Sequence, residues 1–408
     1  MGGRNHLAAG LDIGTTKICT VVGEVNTNGI DIVGIGIYPS VGLRRGVVVN
    51  IESTVNSIKK AVAEAELMAG CEVASVYAGI AGGHIEGINS HGVIAIKSRE
   101  VTQKDVDRVL DAARAVAIPM DREVIHILPQ EYIVDDQDGI RDPLGMSGVR
   151  LEAKVHIVTG AVASAQNIVK CANRAGLDVQ DIVLESLASS ETVLTAEEKD
   201  LGVALIDFGG GTTDVAIFSE NSIKHTSVLT LGGNHLTSDI AIGLRTPVAE
   251  AETVKINHGC CLGSLIEKDE TIEVPGVGGR KPRILPRRIL AEILEPRVEE
   301  VFELVKREIT KAGCLDLMTS GVVVTGGSSL LPGVVEVAEQ IFNVPARIGY
   351  PKDIGGLVDV VNNPIYATGV GLVVFGANTQ PDRRFGIRDK NVFEKVLARM
   401  KTWFEEFF

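Results

Sequence analysis

The sequence predicts an α/β protein built from two lobes of similar design. At 408 residues, the chain is long enough to bury more than one core. Its 45 glycines and 4% aromatic content favour many tight turns between strands and helices. Two segments 195 residues apart (207 − 12) repeat the same order of a strand, a polar glycine-containing turn and a second strand. We therefore expect a duplicated core.

The composition is that of an acidic protein that neither crosses a membrane nor seeks nucleic acid. The 40 Lys and Arg against 53 Asp and Glu leave a formal net charge of -13, which disfavours a nucleic-acid-binding surface. No run of about eighteen apolar residues is present, and the amino terminus lacks the apolar core of a signal peptide. The six cysteines show no CxxC spacing, so we expect free thiols in a reducing cytosol.

The first repeated turn lies within Leu7–Val25 and carries candidate phosphate ligands. An apolar run ends at Asp12, a short polar turn follows, and a β-branched run resumes. Glycine lets backbone N–H groups approach a phosphate without a Cβ in the way, threonine hydroxyls add donors, and lysine supplies a point charge. The candidate phosphate contacts in this turn are Gly14, Thr15, Thr16 and Lys17.

The second turn, within Leu201–Asn221, places three consecutive glycines between Asp207 and Asp214. Taken alone, each turn is open to the simpler interpretation of a tight hairpin turn, but the two together favour a phosphate clamp. We assign Asp12 and Asp207 to a hydrated Mg²⁺ ion, which keeps several waters and takes few protein carboxylates. The candidate phosphate contacts in this turn are Gly209, Gly210, Gly211, Thr212 and Thr213.

A third segment, Gly321–Phe342, predicts where the nucleoside lies. It has the pattern of a buried β-branched strand, a double-glycine turn and a helix with Pro332 in its first turn. Such a junction lets a base or ribose lie against bare backbone near a helix N-terminus. Glu252 and Lys255, at i and i+3, share a face of another predicted helix, although such a pair is most often simply solvated. The candidate nucleoside contacts are Gly233, Glu252, Lys255, Gly326, Gly327 and Ser328.

The order of these three turns resembles that of the actin-like ATPase superfamily of actin, sugar kinases and DnaK-type chaperones. More specifically, the chain resembles the FtsA family of bacterial cell-division proteins up to about residue 375, in segments such as SVGLRRGVVVN, VTQKDVDRVLDAA, HGCCLGSLI and IYATGVGL. The resemblance implies an actin-like two-lobed α/β fold with duplicated RNase H-like cores, an FtsA-type inserted subdomain and a C-terminal amphipathic helix. It also implies ATP and Mg²⁺ as cofactors.

The resemblance implies a division of the chain into six parts. These are a first lobe (1–83 and 161–197), an inserted subdomain (84–160), a second lobe (198–232 and 304–375), its upper subdomain (233–303), a flexible linker (376–390) and the C-terminal helix (391–408). In this family the insert serves self-association and contact with later division proteins. Within the insert, helical spacing predicts one amphipathic helix that begins near Thr102 and has an apolar face of Val106, Val109, Leu110, Ala113 and Val116.

The upper subdomain carries a basic cluster ahead of an amphipathic helix. Five of the nine residues from Arg280 to Arg288 are basic. A basic cluster is usually only a solvated face. Because the FtsA family binds the acidic C-terminal tail peptide of FtsZ on this subdomain, the resemblance implies a role for Arg283, Arg287 and Arg297. Their charge-assisted bonds to the peptide carboxylates would supply the polar part of the contact.

The last eighteen residues, 391–408, predict an amphipathic helix on a chain end that is basic. Seven Lys or Arg against three acids between Asp382 and Lys401 give a net charge of +4, although the whole chain is acidic. Its polar half forbids spanning a bilayer, which leaves packing on its own core, pairing with a partner helix, or lying in the interface of an anionic membrane. The basic flank and a tryptophan among phenylalanines favour the membrane, and members of the FtsA family end in such a helix. The predicted lipid contacts are Val392, Phe393, Val396, Leu397, Met400, Trp403, Phe404, Phe407 and Phe408.

These features predict a nucleotide-dependent adaptor rather than an enzyme of the same fold. The resemblance implies an ATP-binding protein that polymerises on the cytoplasmic face of the inner membrane at the division site, tethers FtsZ filaments and recruits later division proteins. The alternatives are a sugar-kinase-like phosphotransferase, for which we find no assignable catalytic aspartate, and a pilus-assembly ATPase relative. A chaperone is disfavoured because only about 30 residues follow the ATPase body. Glu185 lies where related ATPases keep a water-positioning carboxylate, and it is the candidate for supporting slow ATP hydrolysis.

Overall fold

A computed structural model describes residues 6–27 and 29–379, without the His6 side chain. The chain divides into a compact body, Met1–Asn378, and a separate segment, Thr379–Phe408. The predicted membrane helix and most of the predicted linker therefore lie outside the described residues. Within the described part of the chain, no helix is both long enough and apolar enough to cross a membrane. The six cysteines are free thiols, as expected.

Strands supply the framework of the body. In chain order they are β1 (His6–Ile13), β2 (Lys17–Asn26), β3 (Gly29–Pro39), β4 (Leu43–Arg44), β5 (Val47–Val48), β6 (Ser75–Ile80), β7 (Glu86–Ala95), β8 (Arg122–Val134), β9 (Gln137–Ile140), β10 (Arg150–Ala161), β11 (Asp178–Leu184), β12 (Val203–Phe208), β13 (Thr213–Ser219), β14 (Ser222–Leu229), β15 (Thr271–Val274), β16 (Arg283–Pro286), β17 (Val322–Thr325), β18 (Ala346–Ile348) and β19 (Gly355–Gly356).

Helices connect these strands and cover the sheets. They are α1 (Ile51–Ala69), α2 (Gln103–Arg114), α3 (Val162–Ala175), α4 (Glu185–Val193), α5 (Ala196–Leu201), α6 (Gly233–Gly243), α7 (Val248–His258), α8 (Arg288–Lys311), α9 (Val334–Phe342), α10 (Val358–Val361) and α11 (Ala367–Asn378). Short 3₁₀ turns lie at Gly263–Leu265, Val277–Gly279, Leu315–Leu317, Gly327–Leu330 and Pro364–Tyr366.

The two largest sheets share one topology, which confirms the predicted duplication. Their strand orders are β11-β6-β1-β2-β3-β19 in the first lobe and β18-β17-β12-β13-β14 in the second. In each sheet, a three-stranded antiparallel meander is extended by two parallel strands beside its first strand. β1 therefore corresponds to β12, and the turns that follow these two strands, residues 14–16 and 209–212, occupy equivalent positions.

Apolar residues hold the sheets against their helices. Every residue of β12 and β13 is buried, as expected for central strands covered on both faces. Helix α8 presents buried residues at every third or fourth position from Leu290 to Ile309, and these share one apolar cluster with β12 and β13. Helix α1 begins after Asn50, whose Oδ1 accepts the Ser53 N–H at 3.0 Å, and ends at Gly70 with a left-handed φ of 66°.

The chain between β6 and α3 forms a separate four-stranded sheet, β7-β10-β8-β9, against which α2 packs. Thr102 precedes α2, and its backbone N–H and hydroxyl donate to the Asp105 carboxylate at 3.1 and 2.6 Å, which confirms the predicted start of this helix. The helix ends at Arg114. Val116, which helical spacing had placed on the apolar face, lies beyond that end and is exposed.

Two further element boundaries differ from the predictions. Helix α9 begins at Val334, because Gly333 takes a left-handed φ of 93° after a 3₁₀ turn, so Pro332 lies before the helix and not in its first turn. Helix α11 continues through residues 376–378, which were predicted as linker. Gly376 lets this part of α11 pack closely on Tyr77, because a Cβ at residue 376 would lie 2.4 Å from the Tyr77 ring.

Candidate nucleotide-binding site

A cavity of about 460 Å³ lies where the turn after β1 faces the turn after β12. Its volume is in the range of ordinary small-molecule sites. With one exception, every residue predicted to contact the nucleotide or its metal, and Glu185, lines this cavity. These residues are Asp12, Gly14, Thr15, Thr16, Lys17, Glu185, Asp207, Gly209, Gly210, Gly211, Thr212, Gly233, Glu252, Lys255, Gly326, Gly327 and Ser328.

Thr213 is the exception, because its side chain does not line the cavity. It is the first residue of β13, it is fully buried, and its hydroxyl donates to the carbonyl of Leu231 at 2.9 Å. Successive side chains of a strand point to opposite faces, so the neighbouring Thr212 reaches the cavity while Thr213 does not. The pattern of two adjacent threonines gave no means of telling them apart.

The first phosphate turn is held by a half-buried ion pair and by a neighbouring hairpin. Lys17 Nζ lies 2.5 Å from Asp12 Oδ2. Burial alone would lower the pKa of Lys17, but the neighbouring groups, Asp12 foremost, together outweigh it and the pKa is raised, so the ammonium is charged at neutral pH. Thr15 Oγ1 accepts the N–H of Gly46, which lies in the hairpin β4–β5, at 2.9 Å. The Thr15 oxygen is thereby used as an acceptor, which leaves its proton available to an anion in the cavity.

The second phosphate turn is a compact backbone structure that continues into helix α6. The Gly209 N–H donates to the Thr212 carbonyl at 3.0 Å. The N–H groups of Gly233 and Asn234, at the start of α6, donate to the carbonyls of Gly209 and Gly210 at 2.9 and 2.8 Å. The helix N-terminus therefore sits directly behind the turn, where its partial positive charge favours an anion in the cavity.

The two phosphate turns touch each other across the cavity. A Cβ at Gly210 would lie 2.0 Å from Thr16 Oγ1, and one at Gly211 would lie 2.4 Å from Thr15 Oγ1. Glycine is required here because of this close approach, which links the lobes at the point where phosphates would bind. The tertiary structure thus gives these two glycines a role that neither turn shows alone.

Three carboxylates and one ammonium line the cavity, namely Asp12, Glu185, Asp207 and Lys17, and a fourth carboxylate, Asp214, lies beside Asp207. Burial raises the pKa of Glu185, the first residue of α4, and the charges of Asp12, Asp214 and Asp207 raise it further. Burial likewise raises the pKa of Asp207, against the lowering effect of hydroxyl groups that donate to its Oδ2. Asp214 is buried beside Asp207, and its pKa is also raised. This crowding of negative charge suits a divalent cation.

Asp12 and Asp207 both line the cavity, as the predicted water-mediated Mg²⁺ site requires. Among the described residues, no group of three or more His, Cys, Asp or Glu side chains has the arrangement of a direct metal site. Two carboxylates at the edge of a phosphate site suit a hydrated Mg²⁺, which keeps several waters and takes few protein ligands.

The nucleoside end of the cavity is built around Lys255. Its Nζ donates to the Gly233 carbonyl at 3.1 Å and to the Thr237 hydroxyl at 2.8 Å, and it lies 2.7 Å from Glu252 Oε2. The predicted pairing of Glu252 and Lys255 on one helix face is confirmed, although Lys255 is buried instead of solvated. Lys255 thus fixes the Glu252 carboxylate, and a carboxylate at this position is an acceptor for ribose hydroxyls.

Sequence reasoning missed the apolar wall beside this end of the cavity. Ile256 and Leu330 line it although they are 71% and 43% exposed, so they offer uncovered apolar surface to a flat ring. Leu330 closely follows the double-glycine turn, and this position in the sequence could have indicated that it lies beside the nucleoside. Pro364 and Ile365, which also line the wall, come from a distant 3₁₀ turn that no local pattern indicates. Asn234 and Thr368 also line the cavity and were not predicted.

The arginines predicted to bind a partner do not line this cavity, and all three contact their own subdomain. Arg283 donates to the carbonyl of Leu244. Arg287 lies 2.5 Å from Glu270 Oε2 and donates to the carbonyl of His258 at 2.8 Å. Arg297 lies 2.6 Å from Asp239 Oδ2 and also pairs with Glu300. The predicted lipid contacts, from Val392 to Phe408, lie outside the described residues.

The sequence is similar to known cell-division proteins along almost its whole length. The family model described as cell division protein FtsA matches residues 204–371, and the model described as the SHS2 domain inserted in FtsA matches residues 82–159. Relatives named cell division protein FtsA are 54% identical in Pseudomonas aeruginosa (97% of each chain) and 42% identical in Escherichia coli K12 (97% of this chain and 95% of the relative). A relative in Bacillus subtilis is 39% identical and covers 91% of this chain and 83% of its own.

Solved structures with low sequence identity share the fold. The chain is similar to the PilM–PilN type IV pilus biogenesis complex with a TM-score of 0.66 and 17% identity, covering 91% of this chain and 99% of that one. It is similar to MreB5 of Spiroplasma citri bound to ADP with a TM-score of 0.54 and 15% identity, covering 91% of this chain and 96% of that one. These likenesses, with the duplicated sheets and the inserted domain, confirm the predicted actin-like α/β fold.

Proposed function

The chain belongs to the FtsA family of cell division proteins, and from this premise we propose that it is an ATP-binding, actin-like adaptor of the division site. It polymerises on the cytoplasmic face of the inner membrane, tethers FtsZ filaments there and helps to recruit later division proteins. The observation that carries the proposal is the direct contact of Gly210 and Gly211 with Thr16 and Thr15, which places two phosphate turns around one cavity. The phosphotransferase and pilus-assembly alternatives give way to the family membership.

ATP is the proposed ligand because the cavity offers a different chemistry at each end. Lys17 and the threonine hydroxyls would hold the phosphates, and the positive end of the α6 dipole would favour their charge. Asp12 and Asp207 would hold Mg²⁺ through water, and the ion would supply charge neutralisation between the phosphates and the carboxylates. Glu252 would accept from the ribose, and Ile256 and Leu330 would cover the base. The structurally similar MreB5 of Spiroplasma citri is bound to ADP, which supports the binding of a nucleotide by this fold.

Glu185 is the proposed residue for slow hydrolysis. It lines the cavity near the other carboxylates, and its raised pKa suits a group that accepts a proton from an attacking water. The same repulsion that raises this pKa would be relieved by Mg²⁺. Hydrolysis is a secondary part of the proposal, because the adaptor role requires binding and release of the nucleotide and not rapid turnover.

The proposed tail-peptide site is the surface around Arg283, Arg287 and Arg297, and its test must separate binding from folding. Because Arg297 is paired with Asp239, the change Arg297→Glu removes a possible peptide contact and an intramolecular ion pair at once. The double change Arg297→Glu with Asp239→Arg restores opposite charges at the pair. A matched control is Arg307→Glu, which makes the same charge change at an exposed position of the same helix.

Binding of a synthetic FtsZ tail peptide should weaken at least about tenfold in Arg297→Glu and in the double variant, while Arg307→Glu binds normally, because a buried charge-assisted bond contributes roughly 1.5–3 kcal/mol. Recovery of affinity in the double variant would show that Arg297 only supports its own subdomain. Unchanged affinity in all variants would remove this surface from the proposal.

The membrane part of the proposal rests on the sequence of residues 391–408 and is tested on the full chain. In a helix, Trp403→Glu introduces a charge into the apolar stripe, whereas Thr402→Glu introduces the same charge on the polar face. Each large side chain buried in lipid contributes on the order of 1.5 kcal/mol or more. The assay is co-sedimentation with vesicles that contain anionic lipid, in the presence of ATP and the FtsZ tail. The wild type and Thr402→Glu should sediment with the vesicles, and Trp403→Glu should remain in solution. Retention of a chain lacking residues 391–408 would refute the anchor.

A further inference from the structure

The inserted domain, which comprises β7, α2, β8, β9 and β10, contacts both lobes of the body. Its contact with the first lobe is the buried imidazole of His126, whose Nε2 accepts the N–H of Leu184 at 3.0 Å. Leu184 directly precedes Glu185, which lines the cavity. Leu128, two residues along the same strand, packs against apolar clusters of both lobes. The insert is therefore placed to respond when one lobe moves relative to the other.

A group of hydrogen bonds around His156, which is fully buried, joins the insert to the second lobe. His156 Nδ1 lies 2.6 Å from Asn89 Oδ1, and its Nε2 lies 2.8 Å from the Thr226 hydroxyl of β14. Because the Asn89 oxygen is an acceptor, Nδ1 carries the proton and Nε2 accepts from Thr226. Gln130 adds a second bond, since its Nε2 donates to the carbonyl of Ile223 at 2.8 Å. We use the name clasp for this contact of His156 and Gln130 with β14.

The point where the chain passes from the first lobe into the insert is tied to a phosphate turn. Gly82 takes a φ of 122°, which side chains rarely allow, and a Cβ on Gly46 would lie 3.0 Å from the Gly82 Cα. The Gly46 N–H is the donor to Thr15 Oγ1. On the other side, a Cβ on Gly83 would lie 2.6 Å from Thr230 Cγ2 in the second lobe. If Thr15 moves when a phosphate binds, the movement is therefore transmitted to Gly82 through the hydrogen bond from Gly46 and the backbone contact between Gly46 and Gly82.

The clasp is built so that it can separate. Its hydrogen bonds are polar, and two buried polar atoms on either side of Thr226 in β14, His225 Nε2 and Ser227 Oγ, lack a hydrogen-bond partner among the described residues. Leaving such groups unpaired is costly, whereas water satisfies them when a contact opens. A permanent domain interface is instead expected to be large and apolar. The polar part of this contact thus resembles the interfaces of domains that move relative to each other.

We propose that the inserted domain is a clasp on the nucleotide cleft: the bond between His156 and Thr226 forms when the two phosphate turns meet and breaks when they separate. This inference rests on the proposed binding of ATP in the cavity. Coupling between two binding sites is reciprocal. A partner of the insert that holds the clasp open therefore lowers the affinity of the protein for ATP. ATP in turn lowers the affinity of the protein for that partner by the same factor. Through the clasp, the binding of ATP would change how the surface of the insert binds its partners.

The test compares the full chain with Thr226→Val, which keeps the side-chain shape and removes the hydroxyl. Thr253→Val is the matched control, because the Thr253 hydroxyl is exposed and bonds only to a carbonyl of its own helix, at Ala249. Gln130→Met removes the second clasp bond at a partly exposed position and serves as an independent variant. Two measurements are made with and without Mg-ATP: the dissociation constant for ATP, and hydrogen–deuterium exchange of peptides covering residues 86–95 and 222–229.

ATP is expected to slow exchange of both peptides in the wild type and in Thr253→Val. In Thr226→Val and Gln130→Met this protection should shrink, and the dissociation constant should rise about fivefold to tenfold, the effect of losing one buried hydrogen bond. Normal ATP affinity with equal exchange of both peptides in the presence and absence of ATP would overturn the clasp while leaving ATP binding intact. Failure of the wild type itself to bind ATP would overturn the proposed function, and the clasp with it.

Discussion

Replacing Gly211 by alanine puts a methyl group at the point where the two phosphate turns meet. The new Cβ would lie 2.4 Å from Thr15 Oγ1 and 2.7 Å from the Cβ and Cγ2 of the same residue. Threonine cannot move aside easily, because its branched side chain is restricted at χ1 and its hydroxyl is already bound to the Gly46 N–H. The overlap is relieved only by separating the two turns, and each lobe can stay folded while that happens.

The size of the effect follows from this geometry. Forcing an extra methyl group into a packed contact costs about 1–3 kcal/mol. If ATP binds only when the turns meet, the whole of this cost appears in the binding free energy. The affinity for Mg-ATP should then fall roughly 5- to 150-fold. The thermal unfolding midpoint without nucleotide should change little, because the turns lie at a cavity and not within either apolar core.

The assay is titration of a fluorescent ATP analogue, with Gly263→Ala as the matched control. A Cβ at Gly263 would meet nothing closer than 3.6 Å, so this control should bind normally. The pair Gly211→Ala with Thr15→Ala removes two of the three overlapping atoms, Oγ1 and Cγ2, and should lose less affinity than the sum of the two single changes. Wild-type affinity in Gly211→Ala, or strict additivity in the pair, would refute the inference that the turns close on the nucleotide.

Three further predictions concern single side chains. Glu252→Gln should weaken ATP binding about tenfold and leave dATP binding nearly unchanged if the carboxylate accepts from the ribose 2′-hydroxyl, and Glu250→Gln on the same helix should do neither; equal losses for both nucleotides would contradict the assignment. Glu185→Gln should keep ATP affinity, because it removes a repelled carboxylate, and slow single-turnover hydrolysis at least about tenfold; unchanged hydrolysis would exclude Glu185 as the base. Burial lowers the pKa of His126 to about 4, so the folded state binds fewer protons than the unfolded state between about pH 4 and 6.5 and stability rises with pH across that window. His126→Gln should reduce the difference between the thermal midpoints at pH 5 and pH 7, and a residual difference is expected from His156, whose pKa burial also lowers to about 4; an unaltered difference would mean that His126 does not titrate on unfolding.

Local pattern was enough to predict much of the nucleotide site. The turns at Gly14–Lys17 and Gly209–Thr212 could be found because each interrupts a strand with residues that have few other uses, and because the same order occurs twice. The start of α2 at Thr102 could be predicted because it depends on hydrogen bonds between Thr102 and Asp105, which are only three residues apart. The local pattern did not distinguish the buried Thr213 from the neighbouring Thr212, which lines the cavity, and it placed Pro332 inside a helix that begins two residues later.

Long-range contacts were beyond the reach of the sequence. No local signal shows that Gly211 lies against Thr15, that Pro364 and Ile365 complete the wall beside Ile256, or that Arg297 is paired with Asp239. The clasp of His156 with Thr226 joins residues 70 positions apart, and each of them alone is an ordinary polar residue in a strand.

The amino-acid order by itself determined the duplicated design, the two phosphate turns, the acidic surface charge and the one-sided apolar pattern of residues 391–408. These features follow from the period of apolar residues and from glycine chemistry, which act over a few neighbouring positions. Only the tertiary structure decided that the turns touch, which carboxylates crowd together, and that the insert reaches both lobes. The physical reason is that close approach and electrostatic crowding depend on distances in space, and folding sets those distances by packing segments that lie far apart in the chain.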